Sequence, residues 1–83
     1  MTTLEKLRPG DRGVIRAVDR QGADEVDLME MGLTAGTPIE VVRFAPFGDP
    51  IELKVRGYHL SIRRADAKAI IVERPAKEAY AED

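Results

Sequence analysis

The stretch Leu28-Met29-Glu30-Met31-Gly32-Leu33-Thr34-Ala35-Gly36-Thr37-Pro38-Ile39-Glu40-Val41-Val42 constrains this chain most. A helical pattern runs into Gly32, a second glycine follows four residues later, and a β-branched run comes next. Gly32 suits the left-handed position that follows a helix, where a side chain would clash with the backbone. Leu33, one step beyond, is then placed to fold back onto Leu28 in the last helical turn. Gly36 serves the tight turn that launches Ile39, Val41 and Val42 as a strand. A helix is thus joined to a sheet by a short link, and the remaining strands are expected to gather around that joint.

Upstream, Leu4 and Leu7 sit three apart in a short opening turn that can plug one end of a barrel. Arg8-Pro9-Gly10-Asp11 carries a type II turn signal, with proline first and glycine second of the central pair. Residues 13–18 read as a strand, and Asp19-Arg20-Gln21-Gly22 breaks it. From Ala23 to Met31 the apolar spacing, at Val26, Leu28, Met29 and Met31, fits a helix of two to three turns lying on a core. Residues 38–44 form a second strand, and Ala45-Pro46-Phe47-Gly48-Asp49-Pro50 an irregular loop. Ile51-Glu52-Leu53-Lys54-Val55 alternates strictly and Tyr58-His59-Leu60-Ser61-Ile62 repeats the pattern, joined by Arg56-Gly57 in a tight hairpin if Gly57 takes positive φ. Residues 64–68 are long enough for one helical turn, and Ala69-Ile70-Ile71-Val72 closes as a last strand. Five short strands with frequent turn signals and one inserted helix, about 23–31, predict a mainly β fold: a small, partly closed antiparallel barrel. Residues 1–74 are expected to form the domain and 75–83 a polar tail.

At 83 residues the chain forms one domain, and such a domain buries only about 60% of its surface. Cysteine is absent, which removes disulfides, thiolate metal sites and cysteine nucleophiles and favours an intracellular, cytoplasmic setting. The amino terminus lacks the basic-then-apolar order of a signal peptide. The longest aliphatic run, 69–72, falls far short of the roughly 20 residues that span a bilayer, so no direct membrane insertion is expected. A net charge of −2 and a pI near 5.4 argue against a nucleic-acid partner, including an RNA-binding barrel. Charge is uneven: Asp19, Asp24, Glu25, Asp27 and Glu30 make the first third acidic, and Lys54, Arg56, Arg63, Arg64 and Lys68 make the later part basic. Two readings stay open, a pair of solvated faces or a dipolar surface that orients a charged partner.

No catalytic constellation is visible, so the chain is read as no enzyme. Ser61, the only serine, shares a strand face with His59, the only histidine, and a wet polar pair explains them better than a dyad. The glycines at 32 and 36 follow a helix and precede a strand, the reverse of a phosphate-binding loop. One histidine and scattered carboxylates do not supply three or four convergent ligands, which leaves His59 a weak candidate for divalent metal and no cofactor required. Binding is left. Phe44, Pro46, Phe47 and Tyr58 surround the irregular loop, where they either cap the barrel end or line a shallow apolar groove for a peptide or a helix; in the second reading they are, with Leu28, Met29 and Met31 on the helix, the candidate partner-binding residues. Gly10, Gly32, Gly36 and Gly57 are the structural turns.

Several of these segments resemble one family. The residues 13–15, 28–42, 45–52 and 55–63, with the Arg8-Pro9-Gly10 turn and the closing strand, are similar in order and spacing to the FeoA family over residues 4–73. The resemblance implies an SH3-like barrel in a small cytosolic protein of bacterial ferrous iron uptake. Its implied partner is the membrane permease FeoB, whose cytosolic part carries a GTP-hydrolysing domain, with regulation or assembly of that permease as its role. The family often places arginines just before the helical leucine, where this chain has Val26 and Asp27. Two alternatives accompany the resemblance: a carrier or sensor that binds Fe²⁺ itself, and an isolated SH3-like module of an iron-dependent regulator. Self-association is left open.

Overall fold

The computed structural model describes residues 1–19 and 25–74. Its elements in order are β1 (Thr2–Thr3), a 3₁₀ turn (Leu4–Lys6), β2 (Arg12–Val18), α1 (Glu25–Glu30), β3 (Pro38–Phe44), β4 (Ile51–Val55), β5 (Tyr58–Ile62), α2 (Arg64–Ala67) and β6 (Ile70–Glu73). The strands form one antiparallel sheet in the order β1-β6-β2-β3-β4-β5. Sequence reading predicts five strands. The sixth is β1, whose two threonines pair with Val72 and Ile71 and are too few to display an alternation. The predicted helix start at 23, the break at 20–22 and the tail 75–83 lie outside the described residues.

The sheet is curled so that its ends meet. β1 leads into the 3₁₀ turn and β5 into α2, and those two short helices touch. Arg64 of α2 ties them, donating from Nη1 to the Glu5 carbonyl at 3.2 Å. Leu4 and Leu7, predicted as a plug, are buried at 0% and 2% exposure.

Two bulges let straight alternation wrap around this core. In β2 the register shifts between Ile15 and Ala17, and in β3 between Val41 and Arg43. One extra residue reverses which side chains face inward. Ile15 and Val41 are fully buried, yet after each bulge it is Val18 and Phe44 that pack against the core. In β4 alternation needs no correction: Ile51, Leu53 and Val55 are all at 0% exposure.

The helix–strand joint has the expected form. The Leu33 N–H donates to the Leu28 carbonyl and the Gly32 N–H to the Met29 carbonyl, both at 2.9 Å, which is the paired bonding of a Schellman end. Gly32 stands at φ +90°, and both leucines are buried. The turn that follows is stitched to β2. The Gly36 N–H donates to the Ile15 carbonyl at 2.7 Å, and the Ile15 N–H to the Thr37 carbonyl at 2.9 Å. Thr37, the one fully buried polar side chain among the described residues, donates from Oγ1 to the Gly32 carbonyl at 3.3 Å.

Gly10, Gly36 and Gly57, the other predicted turn positions, also take positive φ. At the β4–β5 hairpin Arg56 joins Gly57 in that region, at φ +46°. Two positive values make a type I′ turn, whose twist matches the flanking strands. Among the described residues no helix is long and apolar enough to cross a membrane.

Candidate docking surface

The loop between β3 and β4 starts from the pairing of Phe44 with Ile51. Inside it, the Ala45 N–H donates to the Pro50 carbonyl at 3.0 Å and the Gly48 N–H to the Ala45 carbonyl at 2.7 Å. Arg64 then fixes the loop to the rest of the molecule. Its Nε donates to the Gly48 carbonyl at 2.9 Å, and its backbone N–H donates to Asp49 Oδ1 at 3.0 Å. The same guanidinium lies 5.0 Å from the centroid of the Phe44 ring, within cation–π range.

Phe47 sits at the top of this braced loop with its side chain 99% exposed. Burying a side chain of this kind against a partner is worth about 1.5–3 kcal/mol, and a loop already held in place loses less entropy when it binds. Pro46 beside it is exposed as well. Phe44 is turned inward and packs against the core, so it supports the loop rather than offering a contact.

Tyr58 does not belong to this site, which corrects the expectation of a single groove. The β4–β5 register pairs Val55 with Tyr58 at one end and Ile51 with Ile62 at the other. The loop adjoins the Ile51 end, so Tyr58 lies four strand residues away, roughly 13 Å at the usual rise. There the Tyr58 hydroxyl donates to the Met31 carbonyl, and a Cβ on residue 32 would collide with that oxygen.

On the helix the candidates divide. Leu28 is 1% exposed and is corrected to a core residue, because the Schellman end turns its carbonyl and side chain toward Leu33. Met31 is half-buried and packs against the core. Met29, at 53% exposure, is the one helical candidate free to meet a partner.

His59 and Ser61 are exposed on the outer face of β5. His59 stands opposite Lys54 in the sheet and Ser61 opposite Glu52. No group of three or more His, Asp or Glu side chains that could hold a metal ion occurs among the described residues. Sequence reasoning missed Arg64, counting it only as one of a basic run. Its several bonds depend on the β3–β4 loop, α2 and the 3₁₀ turn meeting in space, and no spacing in the chain announces that.

Comparison with known proteins follows the same outline. The family model of the FeoA domain matches residues 2–74. A Porphyromonas gingivalis protein, a fusion of Fe(2+) transport protein A with the Fe(2+) transporter FeoB, is 40% identical over 70 residues, which are 84% of this chain and 8% of that protein. The chain therefore spans only a small part of that relative's length. Among solved structures, an FeoA-like protein from Clostridium acetobutylicum superposes with a TM-score of 0.81 at 34% identity, covering 88% of this chain and 85% of its own. Stenotrophomonas maltophilia FeoA, solved in complex with zinc and described as a prokaryotic SH3 domain protein, gives 0.74 at 25% identity, covering 88% and 91%. The curled six-stranded sheet is accordingly an SH3-like fold.

Proposed function

The chain belongs to the FeoA family, and from that premise we propose that it is a non-enzymatic accessory protein of bacterial ferrous iron uptake. It docks in the cytoplasm on the ferrous iron permease FeoB, at the cytosolic region that carries the GTPase domain, and regulates or assembles that permease. In the P. gingivalis relative the two partners share one polypeptide, which supports an association between this domain and FeoB. The observation that carries the reading is Phe47: a large apolar side chain left 99% exposed on a loop braced by Arg64. Interface hot spots are apolar anchors of this kind, seated in a partner's pocket. Titration of the isolated cytosolic region of the permease with this protein tests the reading by calorimetry. A saturable heat is expected, and its absence at about millimolar protein, the weak limit of useful affinity, contradicts it.

Zinc in the S. maltophilia relative favours a second reading, weak divalent metal binding. His59 is the single imidazole of the chain, and the ammonium of Lys54 opposite it disfavours an added cation. Metal is therefore assigned no required role.

A further inference from the structure

The charged residues that border the Phe47 loop are matched in sign. Arg43 and Glu52 stand opposite each other, next to the Phe44–Ile51 pair from which the loop starts, and Arg43 Nε donates to Glu52 Oε2 at 2.5 Å. At the start of α2, Arg63 Nε lies 3.4 Å from Asp66 Oδ2. Asp49, the one charged residue of the loop itself, accepts from the Arg64 backbone N–H, so the third carboxylate and the third guanidinium belong to residues bonded to each other. The 3₁₀ turn that α2 touches adds Glu5 and Lys6, again one of each sign.

Surplus charge lies further off. Lys68 caps the far end of α2, one helical turn beyond Arg64. Lys54 and Arg56 belong to the hairpin end of β4, and the loop adjoins the opposite end. The Arg64 guanidinium is itself turned inward, over the Phe44 ring and onto the Gly48 and Glu5 carbonyls. What the loop offers outward is the Phe47 ring, with exposed Pro46 beside it, inside a border whose charges cancel. A partner carboxylate or ammonium pressed against such a border gives up hydration and finds no unmatched countercharge. An apolar wall gives up nothing of the kind.

We infer, building on the docking reading above, that the surface receiving Phe47 is an uncharged apolar pocket, walled by aliphatic or aromatic side chains with no ionised group at its rim. Docking through this loop is then insensitive to salt. Association proceeds without electrostatic steering, at about 10⁵–10⁶ M⁻¹s⁻¹. The surplus bases at the hairpin take no part in orienting this contact. An acidic or a basic partner surface makes the opposite prediction, because attraction between unmatched charges is lost as salt screens it.

Binding of the full chain to the isolated cytosolic region of the permease is measured between about 0.1 and 1 M sodium chloride, over which the screening length falls from about 10 to 3 Å. The dissociation constant and the on-rate are expected to stay within about threefold across that range, and Phe47→Asp is expected to remove the binding. Arg63→Gln, at a side chain 77% exposed, is expected to melt like the parent and to bind within about threefold of it. Affinity that falls by more than about threefold with salt overturns the neutral pocket while leaving docking intact, and so does a folded Arg63→Gln protein that binds correspondingly weakly. Salt-insensitive binding that survives Phe47→Asp overturns it too, since the contact then lies elsewhere. A parent that does not bind at any salt concentration overturns the docking reading itself, and the neutral pocket with it.

Discussion

Tyr58 and Gly32 compete for one space: the Tyr58 hydroxyl, donating to the Met31 carbonyl, stands where a Cβ on residue 32 would have to be. The glycine therefore answers two demands, a backbone at φ +90° and room for a side chain from a strand far along the sequence. Gly32→Ala is expected to cost about 2–3 kcal/mol, roughly 1–2 of it from the left-handed backbone. Tyr58→Phe alone costs about 0.5–1.5 kcal/mol for the lost bond. In a Tyr58→Phe background Gly32→Ala becomes cheaper, because only the backbone strain is left. Urea melts of the four proteins in a double-mutant cycle check this, and strict additivity contradicts the shared-space relationship.

Arg64 is expected to behave as a brace. Arg64→Ala removes the cation–π contact with Phe44 and the bonds to the Gly48 and Glu5 carbonyls, for a loss of about 1–3 kcal/mol in urea. Arg64→Lys is expected to recover only part of this, since an ammonium lacks the fork that reaches two carbonyls while lying over a ring.

The type I′ hairpin offers a stabilising change. Arg56 holds φ +46° without the tolerance of Asn or Gly for that region, and its side chain is exposed. Arg56→Asn creates the Asn-Gly pair that this turn favours and is expected to raise stability by about 0.5–1 kcal/mol, read as a higher denaturation midpoint at an unchanged slope.

Leu28 separates core from contact. Leu28→Ala is expected to cost about 2–5 kcal/mol, as for other buried leucines, and protein that remains folded is expected to bind the permease region with unchanged affinity. Melts paired with calorimetry on the folded fraction distinguish the two roles.

Much of the fold was legible because it is written locally. Gly32 and Gly36 announced the joint, and the alternation of 51–55 with the Arg56-Gly57 pair announced the hairpin. The two bulges were not, because residues 13–18 and 38–44 are apolar enough on both faces to hide a change of phase. The candidate site was half legible. An aromatic between prolines marked the 45–50 loop, but only sheet register could separate Tyr58 from Phe47, and only three-dimensional closure could bring Arg64 to both Gly48 and Phe44.

The most direct measurement is the affinity of Phe47→Asp for the cytosolic GTPase region of the ferrous iron permease, taken beside its urea melt. Phe47 is 99% exposed, so the substitution is expected to leave stability within about 0.5 kcal/mol of the parent. Binding is expected to weaken by at least about 2 kcal/mol, roughly thirtyfold, as for loss of an interface anchor. A folded Phe47→Asp protein that binds the permease region as tightly as the parent would contradict docking through this loop.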